Sequence, residues 1–448
     1  MQLRWYSAIY FLTIIPQTMR KFFIFFVLGF SSIHAQSYSL SDLLNMADTA
    51  NPTLKNARID IVSNVNQRNV YLSGRLPKIS AVGDYRYNAI IPAQIVPADF
   101  FGGPPGTFAK VKFGVPYNLS NTVQLNQFLY NPQLEYGLAA LAINEQITQV
   151  QAQITEQEVR YQVSTTYFAL QAVQQQVEYT RKNEKNMQEL IHNMEHLLEQ
   201  GLIVPTEVDK LKINKNNLSN ALLKLENTRL QLLDLLKILV GFPQDKLLEI
   251  AQDDLVQTPK ILENSTATRP ELALIELQKQ MNIEERKGYY MAYLPTLSFY
   301  AAANYNYNLK PENNFRTGIP SAFLGLHLDW TLFDGLEKRN KLKVNAYNRE
   351  KIANQEMLAK QQLTLATDNA RREVTLQTAN LSLNQEQLTL AERINEASKA
   401  QFNAGTISTN ELLQSDNGLQ LAQANLVSAY LSLRQAELAY LKSISQLK

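Results

Sequence analysis

The residues whose types and spacing could do chemistry are His192-Asn193-Met194-Glu195-His196. On a helix the two imidazoles share one face, and the carboxylate between them could act as a base; this is the inverted zinc-protease spacing H-x-x-E-H. The surroundings argue against that use. The motif falls near the end of a run of over 60 residues without Gly or Pro, which offers no compact pocket and no third ligand. The pentapeptide is expected to decorate a helix surface, with no metal held. No phosphate-binding loop, Ser-His-Asp arrangement or dinucleotide fingerprint appears elsewhere. No cofactor and no enzymatic activity are expected. There is no Cys, so disulfides, thiolate metal sites and a lipid-modified N-terminal cysteine are excluded. A net charge of +2 gives no sign of nucleic-acid binding.

The N-terminus carries an address. Met19-Arg20-Lys21 is a short basic start, and Phe22 to Phe30 is an apolar run too short to span a bilayer as a helix. Ile33-His34-Ala35, followed by Gln36, has the small-residue pattern of a cleavage site. Residues 1–35 are expected to be a signal peptide, with translation starting at Met19. Beyond Gln36 no stretch is long and apolar enough for a transmembrane helix. An exported protein without helical spans is the expectation.

The remaining chain repeats itself. Leu76-Pro77-Lys78-Ile79-Ser80 leads into a strand ending Tyr85-Arg86-Tyr87-Asn88; Leu294-Pro295-Thr296-Leu297-Ser298 leads into one ending Tyr305-Asn306-Tyr307-Asn308. Gln200-Gly201-Leu202-Ile203 with Glu207 is echoed by Ala404-Gly405-Thr406-Ile407 with Glu411. Self-similarity over such a span marks a duplicated body plan.

Four segments alternate apolar and polar with period two. Ile79, Ala81, Tyr85 and Tyr87 oppose Ser80, Asp84, Arg86 and Asn88; Tyr117, Leu119, Val123 and Leu125 oppose Asn118, Ser120, Thr122 and Gln124. Leu297, Phe299, Ala301, Ala303, Tyr305 and Tyr307 oppose Ser298, Asn304, Asn306 and Asn308; Leu324, Leu326, Leu328 and Trp330 oppose His327, Asp329 and Thr331. The runs, about 10 to 13 residues long, suit tilted membrane strands. Tyr85, Tyr87, Tyr130, Tyr305, Tyr307 and Trp330 lie towards strand ends, as an aromatic girdle requires. Lipid cannot satisfy an open strand edge, so a spanning sheet must close. Closed barrels need about eight strands or more. One chain supplies four, so copies must pool them, and three copies give an even-numbered barrel.

Two Gly- and Pro-free runs, Leu138 to Gln200 and Glu337 to Ala404, predict helices reaching roughly 90 to 100 Å. Leu211, Leu218, Leu225, Leu232 and Leu239 recur every seven residues, as do Leu412, Leu419, Leu426 and Leu433, followed by Tyr440. Val374, Leu381 and Leu388 run parallel to Leu376, Leu383 and Leu390. Sustained heptads predict left-handed supercoiling against neighbouring helices. A first repeat is expected over 36–240, with strands near 77–91 and 113–128 and helices near 133–200 and 206–240. A linker follows over 241–268, with a short helical patch around Lys246 to Ile250. The second repeat is expected over 269–448, with strands near 295–308 and 321–333 and helices near 336–404 and 408–445. Ile90 to Lys112 reads as a surface loop. Thr206, and Ser408 or Thr409, are expected as helix N-caps.

The duplicated Leu-Pro-x-x-Ser entries, the exit Phe333-Asp334-Gly335 and the turn Phe402-Asn403-Ala404-Gly405-Thr406 leading to Glu411-Leu412-Leu413 resemble the TolC-like outer-membrane efflux proteins. The resemblance covers nearly all of Ser37 to Lys448. It implies a mainly helical homotrimer whose α-barrel is continuous with a twelve-stranded transmembrane β-barrel in the outer membrane of a Gram-negative bacterium. It implies a passive conduit, supplied through a periplasmic adaptor by an inner-membrane transporter. By position it places a periplasmic gate at Phe402, Gly405, Ile407, Glu411 and Gln414, and adaptor docking at Gly201, Ile203 and Glu207. Ile407 stands where well-known members carry Arg, and Gln414 where a second acid often lies, so closure is expected to rest on packing of Phe402 and Ile407. The rival reading is a periplasmic coiled-coil scaffold or adaptor, which explains the helices and the export signal but not two interrupting strand pairs.

Overall fold

The computed structural model describes residues 37–251 and 269–447. The expected signal peptide and the later part of the expected linker lie outside the described residues. Each half is a strand pair, a very long helix and a return helix, preceded by two helices in the first half and one in the second among the described residues. In the first half these are α1 (Leu40–Ala50), α2 (Pro52–Leu72), β2 (Lys78–Tyr87), β5 (Tyr117–Tyr130), α3 (Pro132–Glu199) and α4 (Pro205–Val240). In the second they are α5 (Pro270–Met291), β7 (Thr296–Lys310), β8 (Phe315–Asp329), α6 (Glu337–Asn403) and α7 (Thr409–Ser443). The 68 residues of α3 and the 67 of α6 each extend about 100 Å. Among the described residues no helix is long and apolar enough to cross a membrane.

The long strands form one antiparallel sheet in the order β2-β5-β7-β8. Its register keeps the two faces distinct. Ile79, Leu125, Ala301 and Leu324 lie in one row across the sheet, while Arg86, Asn118, Asn308 and Thr317 lie in another on the opposite face. Asn118 Nδ2 donates to Asn308 Oδ1 at 2.9 Å, which ties the polar face across strands.

Four sequence expectations need correction. The segment Ile90 to Lys112 holds a hairpin of its own, β3 (Ala93–Pro97) with β4 (Phe108–Lys112). Strand β8 begins six residues before the expected 321 and carries Pro320 in its interior, opposite Tyr305. A proline is tolerated there because β8 is an outer strand of this chain's sheet. Lys246 to Ile250 is not helical. Leu248 and Ile250 are buried and Leu247 is exposed, an alternation that suits β6 (Glu249–Ile250), which pairs in parallel with β1 (Ser37–Tyr38). Thr206 is not the N-cap of α4; Val204 takes that place, without a side-chain hydrogen bond, and Pro205 opens the helix.

The core runs along the helices as separate clusters. Around mid-chain Leu43, Leu54, Val163, Tyr167, Leu170 and Leu236 join α1 through α4. Tyr430 Oη donates to Gln171 Oε1 at 3.0 Å and so links α7 of the second half to α3 of the first. The heptad residues Leu412, Leu426, Leu433 and Tyr440 are buried, with Leu433 and Tyr440 against Val374 and Leu426 against Leu388 of α6. Each buried large apolar side chain stabilises by about 1.5–3 kcal/mol.

Candidate functional site

Two features could carry function: the paired helical turns at one end of the molecule and the two-faced sheet at the other. At the first turn α3 ends on Gly201, whose φ of 70° is open to glycine without strain. The amide of Leu202 donates to Leu197 O at 3.0 Å, closing the helix end. The second turn repeats this: Gly405 has φ 74°, and the amide of Thr406 donates to Gln401 O at 3.0 Å. There Ser408 caps α7. Its amide donates to Glu411 Oε2 at 2.8 Å and its hydroxyl accepts from the Glu411 amide at 3.3 Å, a complete capping box.

The turns pack on each other. Met187, Ile191, Met194, Val208, Leu211 and Leu218 form a buried cluster, and Ile203, Phe402 and Leu413 close over it. Phe402 of the second turn thus rests on the apolar end of the first hairpin. Ile407 is half-buried. Glu207 spans the two turns: its carboxylate accepts from Lys210 Nζ at 2.8 Å and bonds the side chain of Thr409. The Lys210 bond, then that of Thr409, holds the Glu207 carboxyl below the usual range. Glu411 and Gln414 are exposed and apart from the Phe402 cluster. The Glu411 carboxyl is likewise held low by the backbone and hydroxyl of Ser408.

Sequence reasoning missed Asn395. It is fully enclosed between α6 and α7, and its Nδ2 donates to Asp416 Oδ1 at 2.5 Å. Burial pushes the Asp416 carboxyl up; the Asn395 bond and the charge of Lys399 pull it part of the way back. Asp416 opens onto a cleft of about 260 Å³ between α3, α6 and α7, lined also by Asn183, Met187, Leu190, Lys399 and Phe402. The signal was present: the seven-residue series Val374, Leu381, Leu388 continues to Asn395 and then Phe402.

At the other end, apolar side chains cover one face of the sheet, and among the described residues those of the outer strands stay largely exposed. Ile79, Leu324 and Leu326 are 71%, 75% and 64% exposed. Tyr85, Tyr87, Tyr305 and Tyr307 lie at the hairpin end of the strands, with the Tyr87 ring 4.9 Å from that of Tyr117. Tyr117 joins them unforeseen. Tyr130 lies at the opposite end, beyond a bulge. Trp330 sits one residue past β8, its Nε1 donating to Tyr293 O at 3.0 Å. The zinc-protease geometry does not form. Glu195 turns towards α4 and pairs with Lys212 at 2.8 Å.

This fold has known counterparts. The chain superposes on the Campylobacter jejuni CmeC outer membrane channel with a TM-score of 0.72 at 14% identity, covering 91% of this chain and 85% of that one. It matches the Vibrio cholerae outer membrane protein VceC with a TM-score of 0.69 at 13% identity, over 90% and 95% of the two chains. It also matches the Neisseria gonorrhoeae MtrE outer membrane channel in its open state, with a TM-score of 0.70 at 14% identity over 91% and 89%. No curated protein matches by sequence. Identities this low speak for the fold alone. The family assignment comes from the sequence model of the outer membrane efflux proteins, which matches residues 43–241 and 262–444 and so takes in both halves of the duplication. The chain belongs to the outer membrane efflux protein family.

Proposed function

We propose that three copies of this chain form a passive conduit across the outer membrane, receiving cargo from a periplasmic adaptor and an inner-membrane transporter. The observation that carries this reading is the sheet: among the described residues it has four strands, one apolar face left exposed, and outer strands β2 and β8 each paired on one side only. The exposed face is costly in water and suited to lipid, whereas the open edges cannot be satisfied in lipid by a single chain. Three copies pairing β8 of one with β2 of the next give twelve strands with lipid outside and the Asn-rich face lining the lumen. A second feature points the same way. On α6, Leu376, Leu383 and Leu390 form an apolar stripe that stays exposed beside the buried Val374 and Leu388, as a face for a neighbouring copy requires.

In this assembly the paired turns form the periplasmic end. Phe402 and Ile407 close it by packing, Gly405 sets the turn, and Glu411 and Gln414 face the constriction. Gly201, Ile203 and Glu207 shape the surface where an adaptor docks. Planar-bilayer recording of the purified protein tests the gate: Phe402→Ser and Ile407→Ser are expected to raise single-channel conductance, and unchanged conductance in both discards the assignment. A monomer soluble without detergent would instead favour the periplasmic scaffold.

A further inference from the structure

The histidine pair left unused above has a geometry of its own. His192 and His196 lie on the exposed side of α3, and their Nε2 atoms are 3.2 Å apart. Imidazole nitrogens bind divalent transition metals at about 2.0–2.1 Å. Two such nitrogens on one ion lie about 2.9 Å apart at a right angle and about 3.4 Å apart at the tetrahedral angle. The observed separation falls between these limits, so the two nitrogens are spaced for one shared ion. The rings meet edge to face, with centroids 4.5 Å apart.

The second nitrogen of His196 is also engaged. Its Nδ1 lies 3.4 Å from Glu199 Oε2. When Nδ1–H donates to that carboxylate, Nε2 of His196 carries the lone pair and is the nitrogen available to an ion. Glu195 does not compete for the ion, being paired with Lys212. Among the described residues no group of three or more His, Cys, Asp or Glu is placed to hold a metal. The site is therefore a two-nitrogen chelate completed by water.

We infer that His192 and His196 form a surface site for one borderline divalent transition-metal ion per chain, of the nickel, copper or zinc class, fastening the last turns of α3 before Gly201. Hard cations such as magnesium and calcium prefer oxygen donors and are not expected there. The bound ion bridges side chains one turn apart, so it opposes fraying of the helix end that builds the first turn. This inference does not depend on the conduit reading.

Calorimetric titration of NiCl2 into the full-length protein in detergent at pH 7.5 tests it. One ion per chain is expected, with none bound by the double variant His192→Gln/His196→Gln and full binding kept by His327→Gln. With CuCl2, the electron paramagnetic resonance spectrum is expected to show two nitrogen ligands in the wild type and one in His192→Gln. Amide exchange over residues 192–199 is expected to slow when nickel is added. A double variant that binds as the wild type does, or a wild type that binds no ion, overturns the inference.

Discussion

The two hairpin tips share a backbone plan and differ in what fills them. Aligning Gly201 with Gly405 sets Ile191 against Asn395, Leu198 against Phe402, Val204 against Ser408 and Lys212 against Asp416. The first tip closes on an apolar seam: Ile191 is buried among Met187, Met194 and Leu211, and its charged pair, Glu195 with Lys212, sits outside at half exposure. In the second tip the seam itself is polar. Asn395 and Asp416 occupy it, next to the cleft of about 260 Å³. Apolar packing improves steadily with contact, whereas a buried polar pair holds only while its hydrogen bond is made. Duplication has thus yielded one tip whose seam is wholly apolar and one whose seam includes a hydrogen-bonded polar pair. In the gate proposed above, the second is the one expected to move.

The largest effects separate stability from gating. Ile191→Ala removes buried apolar volume from the first tip and is expected to cost about 2–5 kcal/mol locally. Hydrogen exchange at the end of α3 should report that loss, with little change in conductance. Asn395→Ala is expected to cost less, about 1–3 kcal/mol, because it strands the Asp416 carboxylate without its donor. Conductance should nevertheless rise for this variant. Equal conductance changes in the two variants would erase the distinction between the tips. The replacement Asn395→Ile/Asp416→Leu gives the second tip the filling of the first, and it is expected to lower conductance below wild type.

The caps come next. Ser408→Ala deletes the capping hydroxyl of α7, at about 1 kcal/mol. The first tip has no such bond to lose, since Val204 makes none and Pro205 sets the first turn by its fixed φ. Val204→Ser is expected to stabilise α4 slightly, and thermal melts of the two variants should move in opposite directions.

Much of this was legible in the residues. Period-two alternation placed the four long strands, and uninterrupted helical runs placed α3 and α6, because both signals are local and repeat many times. Ser408 with Glu411 could be read as a cap for the same reason. The β3–β4 hairpin was hidden by Pro92, Pro97 and the Gly102 to Gly106 cluster, which dominate a segment whose strands are only five residues each. Pro320 hid the start of β8, since a proline argues against a strand unless one already knows it lies at an edge. At the tips, glycines and acids were visible but their contacts were not. Phe402 rests on a cluster built mostly by the other repeat, and no local pattern encodes that. Asn395 needed only one further step of a seven-residue count. It was missed because a polar residue ends an apolar series to the eye while continuing it in space.

The smallest expected effect is also the one with opposite signs in the two tips. Burial raises the Asp416 carboxyl, so the folded second tip holds its proton more tightly than the unfolded chain. The stability this contributes is complete below the ordinary carboxylate value and is lost as pH rises through the raised one. Glu207 is the reverse. Lys210, then Thr409, hold it low, so its contribution is present above the ordinary glutamate value and is lost as pH falls through the lowered one. Its exposure to solvent keeps that contribution small. Mild acidification should therefore tighten residues 395–416 while loosening residues 191–207. Exchange protection measured against pH, corrected for intrinsic rates, should diverge between the two segments. Asp416→Asn should flatten the first trend and Glu207→Gln the second. If both segments respond in the same direction, the Glu207 to Thr409 bond has coupled the tips into one unit, and the contrast between a fixed tip and a movable one no longer holds.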